Sequence, residues 1–168
     1  FHERCEQQIA NFKHCVNHFE NKQHPFLRAS QICAHNRHKF AVGGSGRLSI
    51  GLYVLFIEKW LEHFTPDQFM VLRMEDYNKD PEGYMEKVFA FLELDIPEGE
   101  EGDAIMKHVI AGRIANKNIN ERDEMWPETE DLLRNFFAPY NTLLSNLLED
   151  EDFQWMKENN NPNAAVEE

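Results

Sequence analysis

Two stretches of this chain carry cations with no carboxylate among them. Between Glu20 and Glu58 lie Lys22, Arg28, Arg37, Lys39 and Arg47, with His24, His35 and His38 alongside. Between Asp103 and Glu121 lie Lys107, Arg113 and Lys117. The whole chain has a formal net charge of −13, so its acidic residues are crowded elsewhere. Acid-free stretches in an acidic protein focus their field on an anionic ligand. The competing reading is two ordinary basic loops. The overall charge argues against a nucleic-acid binder, which needs a broadly basic surface.

Other groupings are weaker chemically. Gly43-Gly44-Ser45-Gly46-Arg47 suggests a phosphate loop, but Leu48 stands where a Walker loop needs Ser or Thr, and the required Lys is missing. A flexible turn fits better. His14 and His18, four residues apart on one helix face, could join Cys15 and Cys33 around zinc, yet the two cysteines lack the short paired spacing of a zinc finger. Glu75-Asp76 could orient a substrate hydroxyl or a basic side chain. The plainer reading pairs Glu75 with a nearby Arg and bonds Asp76 to the following turn. No Ser-His-Asp or Cys-His signature is present. Three cysteines allow one disulfide and one free thiol, and the sequence leaves their oxidation state open.

These residues need a scaffold. With 168 residues and 42% hydrophobic content, the chain can bury a core of its own. Cys5, Ile9, Phe12, Val16 and Phe19 make one apolar stripe, predicting a helix over 2–19 with Cys5 as a buried thiol. Residues 20–47 read as a long loop. A second helix is expected over 47–64, burying Tyr53, Phe56, Ile57, Trp60, Leu61 and Phe64 while Glu58, Lys59 and Glu62 face away. Gln68 to Met74 is an apolar run typical of a strand buried in a parallel sheet. Asp80 should cap a helix that begins at Pro81, with Met85, Val88, Phe89 and Leu92 as its stripe. Residues 95–103 read as a surface loop, followed by a basic segment to Asn120. A last helix starts at Trp126-Pro127 and should kink or split near Pro139. The tail, residues 158–168, is expected to be disordered. The fold class is α/β, mostly helical with one or few parallel strands. The chain opens on Phe1 without an initiator Met, and no apolar run reaches the ~18 residues of a membrane span. We therefore expect a fragment or processed chain, with any membrane anchor outside it.

The ordered set of motifs resembles the distal half of Golgi glycosaminoglycan sulfotransferases. The resemblance rests on Leu48-Ser49-Ile50-Gly51-Leu52-Tyr53, on Trp60-Leu61 with Phe64, on Gln68 to Asp76, and on Asp80-Pro81 with Val88 to Leu92. It continues through Met125-Trp126-Pro127, Leu133 to Phe137, Pro139-Tyr140-Asn141 and Phe153-Gln154-Trp155. Gln8-Ile9-Ala10 with Cys15, and Cys33 to Asn36, extend it to the amino end and point to the N-acetylgalactosamine 4-sulfate 6-O-sulfotransferase branch. The likeness covers about residues 1–157, read as the C-terminal part of a sulfotransferase domain.

The resemblance implies a fold related to the P-loop kinases. It also implies a sulfate donor, 3′-phosphoadenosine 5′-phosphosulfate (PAPS), no metal, and sulfuryl transfer to a sugar hydroxyl. It implies a luminal disulfide between Cys15 and Cys33, displacing the zinc reading, and a Golgi type II membrane parent. By position, Arg113 to Arg122 is the loop that closes on the donor, with Lys117 foremost and Arg113, Asn116 and Arg122 beside it. Arg28, Arg37, Lys39, Arg47 and Tyr53 would line a groove for a sulfated or acidic polysaccharide. The family's donor phosphate loop and catalytic base are expected upstream, so the isolated chain should be inactive. The rival reading is a non-catalytic module that binds anionic glycans.

Overall fold

The computed structural model describes residues 1–35, 48–96, 99–111 and 124–155. They divide between two compact units, one drawn from residues 1–63 and 125–168, the other from residues 64–124.

The first unit is built on α1 (His2–Glu20), whose expected stripe holds: Cys5, Ile9 and Val16 are buried. Cys15, one position off that stripe, meets α2 (Phe26–His35), a helix not expected within the 20–47 loop. Pro25 obscured it, although Pro25 only closes its first turn, its carbonyl accepting from the Ala29 N–H at 2.9 Å. The signal was a patch of small residues. Ala29, Ser30, Cys33 and Ala34 are all buried and let α2 lie close to α1. The expected helix over 47–64 is a 3₁₀ turn (Leu48–Gly51) followed by α3 (Tyr53–Leu61). Its buried side is Leu52, Val54 and Leu55, whereas Tyr53 is 52% and Trp60 60% exposed. Apolar residues cover most of α3, so periodicity alone chose the wrong face. The long C-terminal helix runs from Pro127 to Leu148 without a break at Pro139. It buries Phe136, Tyr140 and Leu144. Gly51 lies so close to it that an added Cβ would stand 3.0 Å from the Phe137 ring, which would have to give way to any larger residue.

The second unit holds the main correction. Gln68 to Met74 forms no strand. A 3₁₀ turn (Pro66–Gln68) leads into backbone that is extended at Phe69 (φ −118°, ψ 137°) and Arg73 (φ −91°, ψ 136°). An extended segment becomes a strand only when a neighbour takes its backbone groups, and no strand occurs among the described residues. The expected α/β class therefore appears there as helices only. Next comes α4 (Met74–Lys79), which was not expected, and α5 (Pro81–Phe91), which was. As predicted, the Asp80 carboxylate caps α5, accepting from the Gly83 N–H at 3.0 Å. The supposed loop and basic segment yield α6 (Glu100–Ala111). The C-terminal helix of the first unit is hereafter α7 (Pro127–Leu148). The Gly43–Gly46 turn and the 158–168 tail lie outside the described residues.

Candidate functional site

Cys15 and Cys33 are joined by a disulfide, with Cα atoms 6.0 Å apart. The bond ties α1 to α2 and leaves neither sulfur free to ligate zinc. Cys5 is buried and unbridged, and desolvation pushes its thiol pKa up.

Around the disulfide, polar groups join the helices. The buried Ser30 hydroxyl shares a 3.0 Å hydrogen bond with the Tyr140 phenol, linking α2 to α7. Burial raises the Tyr140 pKa, while the Ser30 bond works against that rise. His2 Nδ1 and the buried Thr129 hydroxyl are 2.7 Å apart, linking α1 to the first turn of α7.

Of the residues expected to bind glycan, Arg28 and Tyr53 are described. Arg28 is exposed on α2 and donates to Gln31 Oε1 at 3.4 Å. Gln31 is buried, and its amide donates to Glu58 Oε2 at 3.2 Å, so Glu58 faces α2 instead of turning away. Desolvation raises the Glu58 carboxyl pKa, with nearby Glu62 adding and Lys59 opposing. Arg28 is close enough to help hold Glu62 below its usual range, after the dominant Lys59 hydrogen bond. Tyr53 sits at the other end of α3, beside Trp155 at 6.4 Å between ring centroids. Nine residues of helix, about 13 Å, separate Tyr53 from Glu62. Arg28 and Tyr53 therefore mark opposite ends of α3. Arg37, Lys39, Arg47, Arg113, Asn116, Lys117 and Arg122 lie outside the described residues.

In the second unit Asp76 is paired with basic side chains of its own segment. It accepts from Arg73 Nε at 2.6 Å, and Lys79 Nζ lies 3.7 Å away. The Arg73 bond holds its carboxyl below the usual range. Among the described residues no glycine-rich turn opens a helix toward a phosphate. The helix that does follow a glycine at positive φ, α6 after Gly99, carries Glu100, Glu101 and Asp103 in its first turn, where they repel an anion. The described residues therefore do not themselves form a donor-phosphate cradle.

Sequence reasoning missed a cavity of about 230 Å³ between α1 and α7, lined also by Phe26 of α2. The aromatic count hinted at it, but only the packing of α2 brings Phe26 onto Tyr140, stacked at 5.4 Å and 29°.

This disulfide-braced helical assembly belongs to the sulfotransferase domain family, which it matches over residues 7–135. It is similar to carbohydrate sulfotransferase 15 of Rattus norvegicus, at 34% identity over 155 residues. That alignment covers 92% of this chain and 26% of the relative. The Homo sapiens protein of that name is 33% identical over the same shares. The one from Nototodarus sloanii is 28% identical over 139 residues, covering 81% of this chain and 86% of that protein. The chain thus spans about a quarter of the length of the mammalian relatives it matches. No solved structure matches it. No helix among the described residues is long and apolar enough to cross a membrane.

Proposed function

We infer that this chain is the carboxy-terminal part of a PAPS-dependent carbohydrate sulfotransferase acting on a glycosaminoglycan-type polysaccharide. The reading is supported chiefly by an alignment with carbohydrate sulfotransferase 15 that takes in 92% of the chain. The extended backbone at Phe69 and Arg73 is consistent with a segment that completes a P-loop-kinase-like sheet. The Cys15–Cys33 disulfide fits an oxidising compartment such as the Golgi lumen.

The donor supplies the sulfuryl group. In this reading, Lys117 with Arg113, Asn116 and Arg122 meets its phosphates, because charge-assisted hydrogen bonds are strongest on such groups. Arg28, Arg37, Lys39 and Arg47 hold acidic groups of the glycan, and Tyr53, at the far end of α3 from Arg28, meets a more distant sugar. A general base outside this chain takes the proton of the attacking sugar hydroxyl. Residues 1–157 act as one part of that domain.

Calorimetry with adenosine 3′,5′-bisphosphate, the desulfated donor product, tests the assignment. We expect binding that weakens about tenfold or more in Lys117→Ala. Equal binding by both proteins would remove Lys117 from the donor site. Sulfate transfer by the chain alone would refute the placement of the base and phosphate loop elsewhere.

A further inference from the structure

The cavity between α1 and α7 combines aromatic and polar lining residues. Its floor is aromatic: Phe12 meets Phe136 edge-on at 5.7 Å, and Phe26 stacks on Tyr140. Phe26, which lines the cavity, remains 38% exposed and offers apolar surface there. Aromatic faces of this kind hold the C–H side of a pyranose, while polar side chains around them meet its hydroxyls.

The polar rim is equally ordered. Lys13, Asn17 and Glu20 line the cavity from one face of α1, and Asn135 lines it from α7. Among the described residues, no side chain is bonded or paired with Lys13, Asn17 or Asn135. Seven helical residues place Lys13 and Glu20 about 10 Å apart, the reach of two linked sugars. A cation therefore stands at one end of the rim and a carboxylate acceptor at the other. Pro139 also lines the cavity and has no N–H to give the Asn135 carbonyl, which removes an intrahelical partner beside the rim.

We propose that this cavity is a glycan subsite that seats one pyranose ring of an acidic polysaccharide against the exposed surface of Phe26, which the buried Tyr140 backs. The anionic group of the adjoining sugar lies on Lys13, and hydroxyls donate to Glu20 and meet Asn17 and Asn135. The proposal rests on the reading that the chain works on carbohydrate, but it uses none of the residues assigned there to donor or acceptor.

The test is titration of the full chain, donor absent, with a chondroitin sulfate tetrasaccharide and with its desulfated, carboxyl-reduced counterpart. Binding is read by saturation-transfer NMR. Phe26→Ala should weaken both ligands about fivefold to tenfold. Lys13→Gln should weaken the charged one about threefold and leave the neutral one unchanged. Asn17→Ala, an exposed change, provides a third variant if Phe26→Ala lowers the melting temperature. No binding, or binding that ignores all three substitutions, overturns the subsite. Retained binding of adenosine 3′,5′-bisphosphate in the same preparation would then leave the sulfotransferase reading standing.

Discussion

The two units differ in how their apolar side chains are housed. In the first, α1, α2, α3 and α7 enclose Leu52, Val54, Leu55, Cys15 and Leu144, each at most 2% exposed. In the second, Met106 is the large apolar residue buried among those described, at 7% exposed. Leu72, Met74, Leu92 and Leu94 there are between 42% and 68% exposed. Burial of apolar area is the main favourable term in folding. The first unit therefore carries its own stability, while the helices of the second are held by local devices: the Asp80 cap and the Arg73–Asp76 pair. Stability need not be uniform along one chain.

The largest effect that could break this contrast is a matched pair of truncations. Leu144→Ala, at 2% exposure, should cost about 2–5 kcal/mol, whereas Leu92→Ala, at 55%, should stay within about 0.5 kcal/mol. Urea unfolding of the two variants would decide it, and comparable losses would abolish the distinction. Next in size is the cross-link. Cys15 and Cys33 are 18 residues apart, so replacing both by Ser should remove about 3 kcal/mol. Amide exchange should quicken in α1 and α2 and hold steady in α5. A smaller loss, about 1 kcal/mol, is expected for Tyr140→Phe, which strands the buried Ser30 hydroxyl. Adding Ser30→Ala should return part of it, and strict additivity would mean the bond contributes nothing.

The same contrast decided what was legible in the sequence. Where an apolar stripe was narrow, as on α1, its period gave both the helix and its buried face. On α3 nearly every position is apolar, so the helix was legible and its face was not. Small residues marked α2, a weak cue beside Pro25 and a polar context. At Gln68 to Met74 the apolar run suggested a buried strand; the backbone is extended at Phe69 and Arg73, but Gln68 closes a 3₁₀ turn, Met74 opens α4, and the ladder that would make a strand is a property of its neighbours. Pro139 was expected to kink or split α7, and the helix does not split. It costs the helix one hydrogen bond, but the packing of Phe136, Tyr140 and Leu144 on either side keeps the helix continuous. The family was legible because motif order survives where each motif is weak. The cavity between α1 and α7 was not, since it exists only once three helices meet.

The smallest effects separate the units by the sign of their pH response. Asp76 is held below the ordinary carboxylate range by Arg73, so its contribution is present above about pH 4 and fades as pH falls through its lowered value. Glu58 is raised by desolvation. Its contribution is complete below about pH 4.3 and fades as pH climbs through its raised value. Mild acidification should therefore protect amides around α3 while loosening those of α4. Asp76→Asn should flatten the acid response of the second unit alone. Glu58→Gln, which keeps an oxygen for the Gln31 amide, should flatten that of the first. Exchange measured across pH 3 to 6 would read both slopes. If the two units loosened together, and neither variant changed that, local carboxylate pairing would not be what distinguishes them.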